Sequence, residues 1–217
     1  PIQSWTVTME RADSGEPVWS HRQDGDLQDL IWDGRSDSGN RAGDDTYRAR
    51  LNVTFARGDT VTVSSARTVT LDTHPPRADV TFSSDIISPN GDGNLDELRM
   101  TQRTSEEPRW TARVLNAADR EVGRWEWVGQ APEQVSFAGL DTARRRVPDG
   151  VYRYELHATD EAGNSTTVGP RQFEIYTAET PVEMYASDPA FSPNGDGTLD
   201  SVEFPVIVGP AEGLQRY

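Results

Sequence analysis

An internal repeat constrains the fold of this 217-residue chain more than any other feature. Three landmarks recur in the same order at offsets of 105, 105 and 104 residues, namely Trp5 and Trp110, Tyr47 and Tyr152, and Asn90 and Asn194. Each landmark also keeps its neighbours, since both tryptophans precede threonine and both tyrosines precede arginine. The sequence therefore predicts at least two copies of one structural unit in tandem.

Apolar and polar residues alternate in several segments of each unit, most clearly in residues 5–9, 47–53 and 152–156. A period of two residues is typical of half-buried β-strands. Turn-forming pairs such as Asp149-Gly150 and Gly163-Asn164 separate these segments. About seven short strands in about 100 residues is the size of an immunoglobulin-like domain. We therefore expect an all-β fold of tandem immunoglobulin-like (fibronectin III-like) antiparallel β-sandwiches.

The charge of the chain limits its partners. The formal net charge is −15, so the chain would be repelled by the negative charges of nucleic acid or anionic lipid. We therefore expect no binding to nucleic acid. We also expect no membrane insertion, since no apolar run approaches the roughly 20 residues of a spanning helix. The chain has no cysteine, which excludes disulfides and thiolate metal sites. A divalent cation is the partner that the charge favours.

The repeat pattern predicts three units. Residues 1–77 form an immunoglobulin-like repeat that lacks its first strand. Residues 78–180 form a complete repeat that begins with a calcium-binding junction loop, and residues 181–217 hold a second junction loop and the first strand of a third repeat. The opening strand of that third repeat is expected at 202–208.

Two loops of the form Ser-Pro-Asn-Gly-Asp-Gly-x-Leu-Asp carry the most specific chemistry. Oxygen-bearing side chains at alternate positions, a glycine and a later carboxylate match the first nine positions of an EF-hand calcium loop. The candidate ligands of the first loop are Asp85, Ser88, Asn90, Asp92, Asn94 and Asp96. Those of the second loop are Asp188, Ser192, Asn194, Asp196, Thr198, Asp200 and Glu203.

Parts of each loop have further predicted roles. Leu95 and Leu199 are expected to anchor the loops to the core, and Glu97 is a candidate to complete the first site, where Arg99 replaces the usual final glutamate. The residues also suit an ordinary turn that holds no ion. Their recurrence with the trailing Leu-Asp favours binding of Ca²⁺.

The loop motif resembles the junction motif of large bacterial surface and gliding-motility proteins. Two further segments, Trp32-Asp33-Gly34-Arg35 followed by Tyr47, and Phe137-Ala138-Gly139-Leu140-Asp141 followed by Tyr152, resemble the immunoglobulin-like domain of the flagellar hook-capping protein. The second copy departs from this pattern at Phe137 and Ala138. The resemblance implies structural modules of an extracellular, cell-surface or periplasmic bacterial protein.

The leading hypothesis is a non-catalytic stalk or spacer in which Ca²⁺ rigidifies the junctions between neighbouring immunoglobulin-like repeats. An alternative is a carbohydrate- or adhesin-type binding module, with Trp125 and Trp127 on one face of a strand and a polysaccharide or another surface protein as partner. A second alternative is a pair of accessory domains in a secreted multidomain enzyme. The orphan strand 202–208 also predicts weak head-to-tail self-association by strand addition.

Overall fold

The computed structural model describes residues 1–178 and 181–209, in which all regular secondary structure is β-strand. Fifteen strands follow one another there: β1 (Ile2–Arg11), β2 (Pro17–Asp24), β3 (Asp45–Phe55), β4 (Thr60–Ser64), β5 (Val69–Leu71), β6 (Ala78–Phe82), β7 (Ile86–Ile87), β8 (Leu98–Thr104), β9 (Glu107–Asn116), β10 (Glu121–Gly129), β11 (Gln134–Phe137), β12 (Gly150–Thr159), β13 (Ser165–Ile175), β14 (Val182–Met184) and β15 (Val206–Val208). Within these two ranges the chain forms no helix of the length and apolarity needed to cross a bilayer.

The second unit is a two-sheet sandwich. One sheet has the order β10-β9-β12-β13-β7, antiparallel except where β7 runs parallel to β13, and the other has the order β11-β8-β6. The alternating residues of β12 explain the packing, since Tyr152, Tyr154, Leu156 and Ala158 are all buried. The largest buried side chains of the same core on other strands include Trp110, Leu98, Met100, Phe137, Phe173 and Ile175.

A polar network joins the two sheets inside this core. Gln102 on β8 is 1% exposed. Its side-chain oxygen accepts a hydrogen bond from the Tyr154 hydroxyl at 2.8 Å, and its side-chain nitrogen donates to the Pro132 carbonyl at 2.9 Å. Burial of these polar groups is tolerated because each has a partner.

Two tyrosines mark the same corner in the first and second units. The Tyr47 hydroxyl donates to the Gly43 carbonyl at 2.6 Å, and the Tyr152 hydroxyl donates to the Pro148 carbonyl at 2.6 Å. A tyrosine near the start of a strand that bonds to backbone a few residues upstream is a hallmark of immunoglobulin-like sandwiches. The predicted fold class is confirmed.

The first unit consists of a single sheet. Its order is β2-β1-β3-β4, with β5 also paired to β3, and these strands correspond to β10, β9, β12 and β13 of the second unit. Within the described residues it has no counterpart of the β11-β8-β6 sheet. The predicted bounds of this unit, residues 1–77, and its lack of a first strand stay predictions. Residues 29–32, at the sequence position of β11, form no strand.

The structure also corrects where each loop lies within its unit. The second unit begins with strand β6, which pairs with β8, so the loop lies between two paired strands rather than at the start of the repeat. The third unit repeats this arrangement, since β14 pairs with β15 across the second loop. Strand β15 begins at Val206 rather than at residue 202, because Pro205 has no N–H to donate. Residues 179–180 and 210–217 of the predicted units lie outside the described residues.

Candidate metal-binding loops

The first loop folds around the side chain of Asp96. Its two carboxylate oxygens accept hydrogen bonds from the backbone N–H groups of Gly91 at 2.7 Å and Gly93 at 2.8 Å. Gly91 and Gly93 have φ values of 90° and 91°, a left-handed region that residues with a Cβ rarely adopt. The glycines of the motif therefore allow the backbone to wrap around one carboxylate.

The side chains at alternate positions direct the next turn of the loop. The Asn90 side-chain oxygen accepts the Asp92 N–H at 3.0 Å, and the Asp92 carboxylate accepts the Asn94 N–H at 2.7 Å. The Asn90 side-chain nitrogen also donates to Asp92 at 3.0 Å. The hydrogen bond from Asn94, together with the one from Asn90, lowers the pKa of Asp92. This carboxylate is therefore ionised at neutral pH.

The second loop repeats these contacts. Asp200 accepts the N–H groups of Gly195 and Gly197 at 2.8 Å each, and Asp196 accepts the Thr198 N–H at 2.8 Å. The two glycine N–H groups lower the pKa of Asp200. The two loops, 104 residues apart in sequence, thus share one backbone conformation and one set of oriented side-chain oxygens.

The chemistry of this donor set fits Ca²⁺. The ligands brought together are carboxylate and amide oxygens, which a hard cation prefers. A carboxylate or amide oxygen that accepts one N–H keeps a lone pair for an ion. Asn90, Asp92 and Asp96 would hold the ion in the first loop, and Asn194, Asp196 and Asp200 would hold it in the second. Each loop gathers two carboxylates, so backbone oxygens, hydroxyls and water would supply the remaining ligands.

The two upstream acids that were predicted to add a third carboxylate are engaged elsewhere. Asp85 is exposed, and its side chain lies 3.8 Å from the Arg171 guanidinium. Asp188 accepts a hydrogen bond from the neighbouring Ser187 hydroxyl at 2.8 Å. A carboxylate with one such contact keeps lone pairs for an ion, so Asp85 and Asp188 stay predicted ligands.

The downstream glutamates, Glu97 and Glu203, stay predicted ligands, and the structure gives each of them other contacts as well. Glu97 accepts a hydrogen bond from the Arg99 side chain at 2.7 Å, which lowers the pKa of Glu97. Glu203 is exposed, and its backbone N–H donates to the Ser187 hydroxyl at 3.1 Å. The twelfth EF-hand position thus falls on the strand side of the hairpin. In an EF-hand the loop is followed by a helix, whereas strand β8 follows the first loop in this chain. The side chain at the twelfth position therefore has a different direction from that in an EF-hand.

The two leucines of the motif do not anchor the loops to the core as predicted. Leu95 and Leu199 are 53% and 49% exposed and have φ values of 51° and 52°. Their backbone carbonyls instead accept the N–H groups of Ser88 and Ser192 at 2.8 Å each, which closes each loop. The motif correctly identified the leucine as a residue that both loops share, but the predicted burial of its side chain was wrong.

The first loop lies at the end of the sandwich from which the chain leaves the second unit. The Arg146 guanidinium donates to the Pro89 carbonyl, and Pro89 lies so close to Gly139 that a Cβ there would be 2.8 Å from the proline Cγ. The Tyr176 N–H donates to the Ile87 carbonyl at 3.0 Å, just before the chain continues toward the third unit. The loop is therefore part of the exit end of the domain.

The junction between the first and second units is at the opposite end of the hairpin and uses other contacts. The Asn164 side chain donates to the Asp72 carbonyl at 3.1 Å, and the Thr166 hydroxyl donates to the Pro76 carbonyl at 2.6 Å. The first loop is not part of this junction, because β6 and β8 extend between them. The contacts that hold this junction come from Asn164 and Thr166 rather than from the first loop.

Sequence reasoning missed one cluster of potential ligands. Asp44, Asp72 and His74 bring ligand atoms within 4.8 Å of one another beside this junction. Asp44 has a structural task, since it accepts hydrogen bonds from the backbone and hydroxyl of Thr73, and these contacts lower its pKa. The repeat offers a signal for this task, because Asp149 binds Thr177 in the same way in the second unit.

Trp125 and Trp127 do lie on one face of strand β10, but that face is turned toward the protein core. Both rings are half-buried and pack against the core of the second unit, and Trp125 meets Phe137 edge to face with ring centroids 6.3 Å apart. The flat exposed platform that would stack on a sugar is not formed by this pair. The alternation predicted the shared face correctly but could not indicate which side the second sheet covers.

Comparisons with known proteins find similarity only at the level of solved structures. No protein-family model and no curated protein match the sequence. Dimeric latent PorU from Porphyromonas gingivalis matches 81% of this chain and 16% of its own, with 10% identity and a TM-score of 0.39. A 1.5-MDa bacterial ice-binding adhesin, in a structure concerning host cell surface retention, matches with 14% identity and a TM-score of 0.38 over 86% of this chain and 58% of its own.

A tetra-tandem repeat from the extending region of a large adhesion protein matches 97% of this chain and 56% of its own, with 16% identity and a TM-score of 0.33. The chain thus spans less than two thirds of each of these structures. Two of these three structures come from large adhesion proteins, but scores in this range establish neither a family nor a function for the chain. The resemblance to the hook-capping domain stays a prediction.

Proposed function

We propose that the chain is a calcium-binding structural spacer in a secreted or cell-surface bacterial protein, located outside the cytoplasm. The observation that carries the proposal is the identity of the two loops. Each loop orients the same oxygens through the same hydrogen bonds, although the residues at 94 and 198 differ. An ordinary turn needs the glycines, but it does not need two aspartates and an asparagine that make the same hydrogen bonds in both copies.

The placement of the loops indicates what an ion would stabilise. An ion held by Asp92 and Asp96 would relieve the repulsion between two carboxylates and tie the two ends of the loop together. The loop is attached to the exit end of the second unit through Pro89 and Ile87. Calcium would therefore stiffen the end of a sandwich where the chain passes to the next unit, and the first junction would remain held by direct hydrogen bonds.

Calorimetry in chelator and in millimolar Ca²⁺ tests this proposal. An ion that binds only the folded state stabilises it by about 2.7 kcal/mol at a hundredfold excess over its dissociation constant. We expect the calcium-induced rise in Tm of the second unit to vanish in Asp96→Asn and to persist in Asp200→Asn. The readout is the difference between the two conditions, because loss of the glycine contacts lowers the stability of both variants without calcium.

Asp79→Asn is the matched control, because it removes an exposed carboxylate from strand β6, outside the loop. This variant should keep the full calcium response. Mg²⁺ at the same concentration should give a smaller rise, since it requires near-octahedral geometry and retains its water. An equal rise in Asp79→Asn, Asp96→Asn and the unmodified chain would reject the loops as the binding sites.

A further inference from the structure

A second set of metal-binding side chains lies beside the junction between the first and second units and shares no residue with the two acidic loops. Asp44, Asp72 and His74 each place one ligand atom within 4.8 Å of the other two. The set differs from the loops in its chemistry, because it includes an imidazole nitrogen. Ca²⁺ takes oxygen ligands, whereas imidazole suits transition metals such as Zn²⁺.

The local conformation of the linker brings two of these side chains together. The Asp72 carboxylate accepts the backbone N–H of His74 at 2.9 Å, which closes a turn through the aspartate side chain. In this turn the His74 Nδ1 atom lies 3.9 Å from the same carboxylate oxygen. Asp72 and His74 are therefore held as neighbours by the backbone of the linker itself.

The third ligand comes from the loop that precedes strand β3. Asp44 accepts the backbone N–H of Thr73 at 2.9 Å and the Thr73 hydroxyl at 3.0 Å, and these contacts hold the linker against this loop. The Asp44 carboxylate also contacts the His74 Nδ1 atom, as an ion pair when the imidazole is protonated. The three ligand atoms thus come from two separate segments that Thr73 joins.

The second unit contains the same clamp without the other two ligands. Asp149 there accepts hydrogen bonds from the backbone N–H and the hydroxyl of Thr177 at 2.9 Å each. The sequence neighbours of this threonine, Tyr176 and Ala178, offer neither a carboxylate nor an imidazole. The contact between aspartate and threonine is therefore the shared structural element, and the second carboxylate and the imidazole are specific to the first unit.

The dimensions of the cluster suit a zinc ion. Zn²⁺ binds imidazole nitrogen and carboxylate oxygen at about 2.0–2.2 Å, so two ligands of one tetrahedral ion lie about 3.4 Å apart. The 3.9 Å between His74 Nδ1 and the Asp72 oxygen exceeds this value by about 0.5 Å, which small side-chain rotations would close. Three protein ligands leave the fourth position of the ion for water.

We propose that Asp44, Asp72 and His74 bind a transition-metal ion, with Zn²⁺ as the ion that fits this ligand set, and that the ion ties the linker to the first unit. The backbone carbonyl of Asp72 accepts a hydrogen bond from the Asn164 side chain of the second unit at 3.1 Å. An ion on the Asp72 side chain would therefore fix the linker where the second unit contacts it. This site is separate from the calcium loops, so either proposal can fail while the other holds.

Isothermal titration calorimetry of the whole chain with Zn²⁺ tests this proposal. The titration is done in several millimolar Ca²⁺, which competes for oxygen-only sites and leaves a site with an imidazole ligand open. We expect one Zn²⁺ ion per chain. His74→Ala and Asp72→Asn each remove one ligand, and each should raise the dissociation constant at least about tenfold, since loss of contacts to the ligands alone costs about 10- to 100-fold in metal affinity.

His157→Ala is the matched control, because it removes an exposed histidine of the second unit whose ring bonds to the Thr167 hydroxyl at 3.0 Å. This variant should bind Zn²⁺ as the unmodified chain does. Limited proteolysis of residues 72–77 gives a second readout, in which Zn²⁺ should slow cleavage of the unmodified chain and of His157→Ala but not of His74→Ala. Circular dichroism verifies that each variant is folded.

Three results would overturn the proposal. The first is an unmodified chain that binds no Zn²⁺ at millimolar concentration. The second is equal binding by the unmodified chain and His74→Ala, which would mean that Zn²⁺ binds at other residues. The third is normal binding by Asp72→Asn, because this variant keeps an acceptor for the backbone N–H of His74 and lacks only the carboxylate ligand.

Discussion

Replacement of Tyr154 by phenylalanine tests the polar network that joins the two sheets of the second unit. The change removes the hydroxyl that donates to the Gln102 side-chain oxygen at 2.8 Å, and it leaves that oxygen buried without this donor. An unsatisfied buried acceptor costs about 1–3 kcal/mol. For a domain of this size, we expect a fall in Tm on the order of 10 °C.

A double-mutant cycle separates this effect from a general loss of packing. Gln102→Leu alone leaves the tyrosine hydroxyl without its acceptor and should also destabilise the second unit. The double variant, Tyr154→Phe with Gln102→Leu, replaces both side-chain polar groups and should recover the part of the loss that does not come from the Pro132 carbonyl. Urea unfolding and calorimetry measure the four proteins. A neutral Tyr154→Phe, or a double variant whose loss equals the sum of the single losses, would refute the reasoning.

Other predictions concern pH and the first junction. Burial raises the pKa of Tyr154, so the stability that its neutral form provides is present below the unfolded pKa of about 10 and is lost as pH rises further. The loss of stability between pH 9 and pH 11, measured by unfolding in urea, should be smaller in Tyr154→Phe than in the unmodified chain. The pKa of Asp200 is depressed, so its contribution is present above about pH 4 and is lost as pH falls. The loss of stability that protonation of Asp200 causes at acid pH should be missing when Asp200→Asn is unfolded over the same pH range. Asn164→Ala removes the hydrogen bond to Asp72, and limited proteolysis of residues 72–77 should become faster, whereas an unchanged cleavage rate would contradict a role in holding the linker.

Several elements of the fold follow directly from the sequence. The alternation around Tyr47 and Tyr152 predicted two strands that the structure contains, and the common offset predicted their equivalence. Strand β6 was not predicted, because five residues with a single alternating pattern carry little signal by themselves. Its equivalence with residues 182–186 becomes visible only when the hairpin register is known.

In the loops, the local turn could be predicted from the sequence, but the contacts with the flanking strands could not. Spacing alone predicted that Asn90, Asp92 and Asp96 lie in one turn, because glycines and Asx side chains determine the local backbone. Sequence could not show that Arg99 pairs with Glu97 or that Leu95 is exposed, because these contacts depend on the strands that flank the loop. The burial of Trp125 likewise depends on the position of the opposite sheet.

Binding stoichiometry measured by equilibrium dialysis tests the calcium proposal most directly. With two equivalent loops, the chain should bind two Ca²⁺ ions at millimolar concentration, and Asp96→Asn and Asp200→Asn should each bind one. Extracellular calcium modules have dissociation constants of about 0.1–1 mM, which sets the range to be sampled. A chain that binds no calcium at several millimolar, or variants that still bind two ions, would contradict the assignment of these loops as metal sites.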